Sequence, residues 1–208
     1  IVSSGKTLLA LINDILDLSK VESGKLELDL SPVNIGDVFG ELRDIFSQKL
    51  QEKELDFQIV VDPSLPKEII LDEIRFRQIF LNLLSNAIKF TDKGYIRLTA
   101  TYQTKKETIQ YMDLIFTVED TGIGIPEEEH DSIFEAFTQQ KGQSHSKYGG
   151  TGLGLAISNR LVQLMNGSIS VKSQVGKGSV FQIILQNSLV SKEFSHKNPK
   201  SISGSKQS

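Results

Sequence analysis

Residues 147 to 157 read "KYGGTGLGLAI", with four glycines in the six positions from 149 to 154 and an apolar helical pattern directly after them. A stretch so bare of side chains is either a flexible turn before a helix or a backbone cradle. In the second case the unpaired N–H groups and the dipole of the helix start favour an anion such as a phosphate chain. Gly150, Gly152 and Gly154 alternate into that start, and Lys147 and Tyr148 stand just before it, within reach of phosphate oxygens. The spacing is not the G-x-G-x-x-G of a dinucleotide-binding turn, and no strand runs directly into it. "SSGKT" at 3–7 is not a P-loop either, because the earlier glycine and the preceding strand are missing.

The rest of the chain has to supply a scaffold. From Leu8, the residues Leu8, Leu9, Leu11, Ile12, Ile15, Leu16 and Leu18 recur at helical spacing, with Gly24 as the stop. A short strand is expected at 26–30, then a turn and an amphipathic helix over 32–53. "LDFQIVV" (55–61) alternates as a strand, and "EIILD" (68–72) leads into a long helix ending near Phe90. Strands follow at 95–102 and 113–120 with a polar hairpin between them. Loops then run from Thr121 to Gly150, broken by one short helix around 131–137. A helix from about Thr151 ends at Asn166–Gly167, where Gly167 is expected in the left-handed cap position, and strands at 168–175 and 179–186 meet at "GKG". This order predicts an α+β fold, a two-layer sandwich whose mostly antiparallel sheet is covered on one face. The Ser- and Lys-rich stretch 191–208 reads as a disordered linker or tail.

With 208 residues, 38% of them hydrophobic, one core plus a helical appendage is affordable. The net charge of −3 offers no general attraction to nucleic acid or an anionic membrane, and no run approaches the roughly 20 apolar residues of a membrane span. The absence of cysteine removes disulfides and thiolate chemistry and fits a reducing, cytoplasmic setting. The chain opens without Met inside a helical pattern, and so reads as a piece of a longer protein.

Two further stretches carry candidate chemistry. In "NLLSNAIKFT" (82–91), Asn82, Asn86 and Lys89 fall at i, i+4 and i+7 on one helix face, while Ile79, Leu83, Ile88 and Phe90 are left for the core. Amide oxygens suit Mg²⁺ at roughly 2.1 Å and an ammonium suits phosphate, although a merely solvated face has the same composition. In "EDTGIGIP" (119–126), Asp120 ends a strand and Gly122 and Gly124 follow. A buried carboxylate accepts hydrogen bonds only, so it would pair with the amino group of adenine and repel the carbonyl of guanine; an Asp-initiated turn is the alternative.

In this order the motifs closely resemble those of the sensor histidine kinases, members of the GHKL ATPase family. "NLLSNAIKFT" resembles their N box, "DTGIGI" (120–125) the first glycine box, "IFEAF" (133–137) the phenylalanine box and "GGTGLGL" (149–155) the second glycine box. "GKGSVF" (176–181) resembles the closing strand turn, and "LINDILDLSKVESGKLEL" (11–28) the second helix of the dimerisation and phosphotransfer hairpin. The resemblance implies three segments: 1–28 as that second helix without its mate, 29–187 as the catalytic ATP-binding domain, and 188–208 as the tail. It also implies roles. Asp120 would hold the adenine amino group with Gly122 and Gly124 beside the ring. Asn82 and Asn86 would ligate Mg²⁺, and Lys89 would neutralise phosphate. Gly150, Gly152 and Gly154, with Lys147, Tyr148, Thr151 and Leu153, would complete the ATP site. Residues 138–148 would be a mobile lid, with Phe134 and Phe137 at its hinge or simply in the core.

The implied reaction moves the γ-phosphoryl of ATP to a histidine, for relay to an aspartate of a response-regulator receiver domain. Yet the three histidines, His130, His145 and His196, all lie outside the N-terminal helix, so the acceptor is expected on a helix outside this chain. The implied partners are a second copy, paired through the N-terminal helix and its mate, and the receiver domain; the parent protein could still be membrane-anchored. Two alternatives belong to other classes. A GHKL-type ATP-hydrolysing conformational machine uses a helix glutamate to activate water where this chain has Asn82, and an amide cannot act as a general base. A non-catalytic docking module would bind no nucleotide.

Overall fold

The computed structural model describes Ile12, Ile15, Leu16, Ser19, Ser23, Gly24 and residues 26–104, 111–138 and 152–189. The hairpin at 105–110, most of the expected lid and the tail at 191–208 lie outside the described residues. Ile12, Ile15, Leu16 and Ser19 are helical, and Gly24 takes φ +63°, the left-handed conformation expected at a glycine stop.

Residues 26–30 form no strand. Their place is taken by β1 (Ser31–Val33), which pairs antiparallel with β3 (Ile69–Leu71) in a two-stranded sheet. The reason is a side chain that is distant in sequence: the Asp29 N–H donates to the Asp72 carboxylate at 3.0 Å, so this stretch is fastened by a cap and not by a ladder. Between the two strands run α1 (Ile35–Glu52) and β2 (Asp56–Val61). Asn34 caps α1, its Oδ1 accepting from the Gly36 N–H at 3.0 Å. Asp72 caps α2 (Glu73–Phe90) by accepting from the Arg75 N–H, also at 3.0 Å.

The main sheet has five strands in the order β2-β4-β5-β7-β6, with β4 (Tyr95–Thr104), β5 (Tyr111–Asp120), β6 (Gly167–Gln174) and β7 (Gly178–Leu189). Only β2 and β4 run parallel; the other pairs are antiparallel. Alternation along β4 and β5 sends Ile96, Leu98, Leu114, Phe116 and Val118 toward the helices, where each is at most 1% exposed. Phe39 of α1, Phe76 and Phe80 of α2 and Phe116 of β5 meet there with ring centroids 4.7–6.2 Å apart, mostly edge to face. The opposite face of the sheet is polar. Arg97 donates to Gln58 and pairs with Glu119, which also accepts from the Tyr95 hydroxyl at 2.6 Å. The result is the expected two-layer α+β sandwich, with helices on one face.

Two local expectations are corrected. In place of a helix over 131–137 there are two 3-10 turns, Glu127–Glu129 and Ser132–Phe134; Glu135 is already extended and Phe137 is left-handed at φ +64°. Helix α3 spans Gly154–Leu164, starting later than the expected Thr151. Its left-handed end residue is Asn166 (φ +58°), whose side chain donates to the Gln186 carbonyl, while Gly167 already opens β6. Asparagine tolerates that conformation, and Gly167 is needed instead because a Cβ there would meet the Ile184 carbonyl at 2.5 Å. Among the described residues, no helix is long and apolar enough to cross a membrane.

Candidate nucleotide site

Helix α2 meets the start of α3 through Asn82 and the loop after β5 through the Phe90 carbonyl. Helix α2 brings Asn82, Asn86 and Lys89, all half-buried. The Asn82 amide nitrogen donates to the Gly154 carbonyl at 3.2 Å and to the Ser158 hydroxyl at 3.3 Å, so the side chain expected at a metal also ties α2 to the start of α3. Its Oδ1 is the atom left to accept from a ligand or to bind a cation. Lys89 borders a groove of about 420 Å³ between the C-terminal ends of α1 and α2, with its ammonium 4.6 Å from the centre of the Phe90 ring. Burial pushes the Lys89 pKa below its ordinary value, a cost that an anion beside it would relieve.

Asp120 ends β5 on the helix-facing side and is 7% exposed. Its Oδ1 accepts from the Gly122 N–H at 2.8 Å. Burial raises its pKa above the ordinary carboxylate value, against the opposing hydrogen bonds from the Gly122 and Ser179 N–H groups; the neighbouring Glu119 charge adds to the rise. A carboxylate held in such surroundings has a use for a donor partner.

Beyond Asp120 the backbone is packed so closely that side chains are excluded. A Cβ on Gly124 (φ +71°) would overlap the Gln174 carbonyl, and one on Gly178 (φ +105°) would overlap the carbonyl of Asp120 itself. The turn between β6 and β7 therefore lies directly on the loop after β5, clamped by the Gly176 N–H donating to Ile123 O at 2.8 Å. On the other side, the Ile123 N–H donates to the Phe90 carbonyl at the end of α2 at 3.2 Å.

Among the described residues no side chain caps α3, and Leu153 immediately before it is fully buried. Gly152 (φ +70°) accepts at its carbonyl from the Phe137 N–H at 3.1 Å, which brings residues 137 and 152 together. Phe134 packs edge to face on Phe181, whereas Phe137 is 67% exposed. Gly154 lies against the Asn82 carboxamide. Lys147, Tyr148, Gly150 and Thr151, with His145 and His196, lie outside the described residues. His130 is described, its ring nitrogen 3.2 Å from the Ile125 carbonyl.

Three participants escaped the sequence reading. Ser179 is 5% exposed, hydrogen-bonds Asp120 through its N–H and lies 2.9 Å from the Ser173 hydroxyl. It stands inside the quoted "GKGSVF", but only the β5–β7 register puts it opposite Asp120. Ser158, four residues after Gly154, is on the α3 face that meets Asn82. Lys53 closes the end of α2, and nothing in the sequence links the two.

Residues 71–189 match the family described as "Histidine kinase-, DNA gyrase B-, and HSP90-like ATPase", more than half of the chain. The chain belongs to this ATPase family. Within it, the chain sides with the sensor histidine kinases. It is 44% identical over 187 residues to hybrid signal transduction histidine kinase L of Dictyostelium discoideum, covering 89% of this chain and 11% of that protein. Full-length ShkA, solved in complex with AMPPNP, superposes with a TM-score of 0.78 at 34% identity, over 90% of this chain and 37% of ShkA. Histidine kinase ThkA, solved in complex with response regulator protein TrrA, shares the fold at 23% identity and TM-score 0.64, over 89% of this chain and 49% of ThkA. The chain thus spans about a tenth of the curated relative and under half of these two structures.

Proposed function

We propose that this chain is the catalytic ATP-binding portion of a two-component sensor histidine kinase and delivers the γ-phosphoryl group of ATP to a histidine outside residues 1–208. The observation that carries the reading is the buried Asp120 on a loop held by the end of α2, together with an amide of the same helix, Asn82, bonded to the glycine-flanked start of α3. Asp120 accepts from the adenine amino group. The Gly122–Gly124 loop, held against both α2 and the β6–β7 turn, lies along the base. Lys89 and the N–H groups at the start of α3 neutralise the phosphates, with Lys147, Tyr148, Gly150, Thr151, Gly152, Leu153 and Gly154 completing the cradle.

The donor set fits Mg²⁺ held jointly with phosphate oxygens. Asn82 and Asn86 offer neutral amide oxygens, and no cluster of carboxylates or histidines among the described residues forms a cage of its own. When bound, Mg²⁺ offsets the charge that builds on the phosphate oxygens during transfer. Asn82 cannot take a proton from water, so the site positions a phosphoryl group for an incoming nucleophile and is poorly suited to hydrolysis.

The same reading divides the chain at residue 28 and after Leu189, where β7 ends two residues beyond the expected 187, pairs it with a second copy through the N-terminal helix, and supplies a response-regulator receiver domain downstream. ATP as the substrate implies a cytoplasmic location. The receiver domain is supported by the match to sensor histidine kinases, and the pairing by the exposed apolar side chains of Ile12, Ile15 and Leu16, at 46%, 48% and 51%.

Calorimetry with ADP, ATP and GTP tests the site. Mg²⁺-dependent binding of adenine nucleotides is expected, and Asp120→Ala should weaken it by about 1–3 kcal/mol. Equal affinity for GTP would remove the base-reading role of Asp120. For transfer, the chain incubated with labelled ATP should carry no acid-labile phosphate on His130, His145 or His196. It should label a hairpin that bears the acceptor histidine. Label on any of its own histidines refutes that assignment.

A further inference from the structure

The C-terminal end of α2 has an unusual set of partners. The Ala87 carbonyl accepts from the Thr91 N–H at 3.0 Å, the ordinary helical bond. The Phe90 carbonyl accepts from Ile123 in the loop after Asp120. The other three carbonyls, of Ile88, Lys89 and Thr91, all accept from one ammonium group: Lys53 Nζ, at 2.7, 3.2 and 2.9 Å. The same ammonium pairs with Asp92 at 3.5 Å. Three donors meet three acceptors at the negative end of a helix dipole, a better match than a water-exposed lysine makes.

Lys53 is itself held. It is the cap of α1, its N–H donating to Gln51 O and Lys49 O, and the chain turns behind it through Glu54 (φ +53°) and the Leu55 N–H bonded to Leu50 O at 3.0 Å. Its backbone thus ends one helix while its side chain ends another. What it grips is one wall of the nucleotide site. Phe90, between the carbonyls that Lys53 holds, receives the Ile123 N–H, and Gly122 lies against the Phe90 carbonyl while donating to Asp120.

We propose that Lys53 is a positioning residue of the nucleotide site: its ammonium fixes the end of α2, and through the Phe90 carbonyl it fixes the Gly122–Ile123 loop that orients Asp120. This rests on the nucleotide-binding reading above. Without the ammonium, three carbonyls lose a charged partner at once, and the last turn of α2 frays away from the loop it supports.

The test uses the whole chain with Lys53→Met, which keeps the apolar stem, Lys53→Arg, which restores charge and donors, and Lys49→Met, which removes an exposed lysine from the same groove. Amide exchange at Ile123 is followed by NMR against the Ile183 amide in the far part of the sheet, and ADP affinity by calorimetry. In Lys53→Met, Ile123 should exchange about tenfold or more faster while Ile183 changes little, and ADP should bind several-fold more weakly. Lys53→Arg should recover most of both losses, and Lys49→Met should match the parent chain. Unchanged exchange at Ile123, or equal acceleration at Ile183, overturns the proposal. If Lys53→Met does not fold, the parent chain still decides: a slowly exchanging Lys53 ammonium signal is expected, and one that exchanges as fast as Lys49 overturns it. The exchange readout needs no nucleotide, so failure to bind ADP would count against the functional reading while Lys53 was judged separately.

Discussion

Asp120 is a residue whose local cost and proposed use point in opposite directions. Burial disfavours its ionised form, so its pKa in the folded chain lies above the ordinary 3.8. Stability from this group is fully present below that ordinary value and is lost as pH rises through the raised one. Asp120→Asn cannot ionise and offers a single oxygen to the Gly122 and Ser179 N–H groups. The melting temperature of the variant minus that of the parent should therefore be larger at neutral pH than at about pH 4, while adenine-nucleotide binding is lost. A difference that does not grow with pH would show that the charge is better compensated than its burial suggests. The glycines of the β6–β7 turn give a second contrast. Gly176 has φ +78° with open space where a Cβ would stand, so Gly176→Ala should cost about 1–2 kcal/mol of backbone strain. At Gly178 a Cβ would also overlap the Asp120 carbonyl. Gly178→Ala should cost clearly more in urea denaturation and weaken ADP binding as well, because the wall it displaces is the Asp120 strand end.

At the scale of elements, the sandwich depends on α2, which presents one face to the core and another to the site. Phe76, Ile79, Phe80, Leu83, Leu84, Ala87 and Ile88 are at most 4% exposed, while Asn82, Asn86 and Lys89 remain half-buried. Phe80 touches the rings of Phe39, Phe76 and Phe116, so it joins both outer elements to the helix. Phe80→Ala should cost about 3–5 kcal/mol in chemical denaturation, because the surrounding rings cannot close the gap. A loss below 1 kcal/mol would mean that the cluster repacks freely. Helix α3 is joined to α2 by contacts at the site itself, the Asn82 amide bonded to Gly154 and Ser158. Changes at Asn82 should therefore be read as changes in helix placement as well as in ligand binding.

At the scale of the whole molecule, the described apolar side chains of the N-terminal helix face water. Ile12, Ile15 and Leu16 stay about half exposed, and each leucine-sized side chain left in water forgoes on the order of 1.5–3 kcal/mol. A two-fold pair buries the same stripe from both copies. Light scattering should find the chain dimeric at micromolar concentration, and the triple change of Ile12, Ile15 and Leu16 to Glu should leave it monomeric with ADP binding intact. A monomeric parent chain would show that the stripe finds no second copy.

Much of this was legible in the sequence, for a physical reason. The 3.6-residue and two-residue periodicities of α2, β4, β5 and β7 record which face each element buries, and such long patterns leave little freedom. Asp120 and the glycines were visible only through the order of the motifs, because a carboxylate before two glycines is by itself equally the start of a turn. Short elements were not legible. Residues 26–30 alternate like a strand, yet Asp72 claims the Asp29 N–H, and the segment around 131–137 lacks the length to sustain an α-helix. The clamps were beyond sequence altogether: Lys53 on α2, Ser179 on Asp120, Ser158 on Asn82 and Gly178 beneath the strand end. Each joins residues 35 to 76 positions apart, or lies at a register that only strand pairing fixes. Local chemistry singled out the residues proposed to bind a nucleotide; tertiary packing decided how they are held, because the hydrogen bonds that hold them belong to neighbours that only folding supplies.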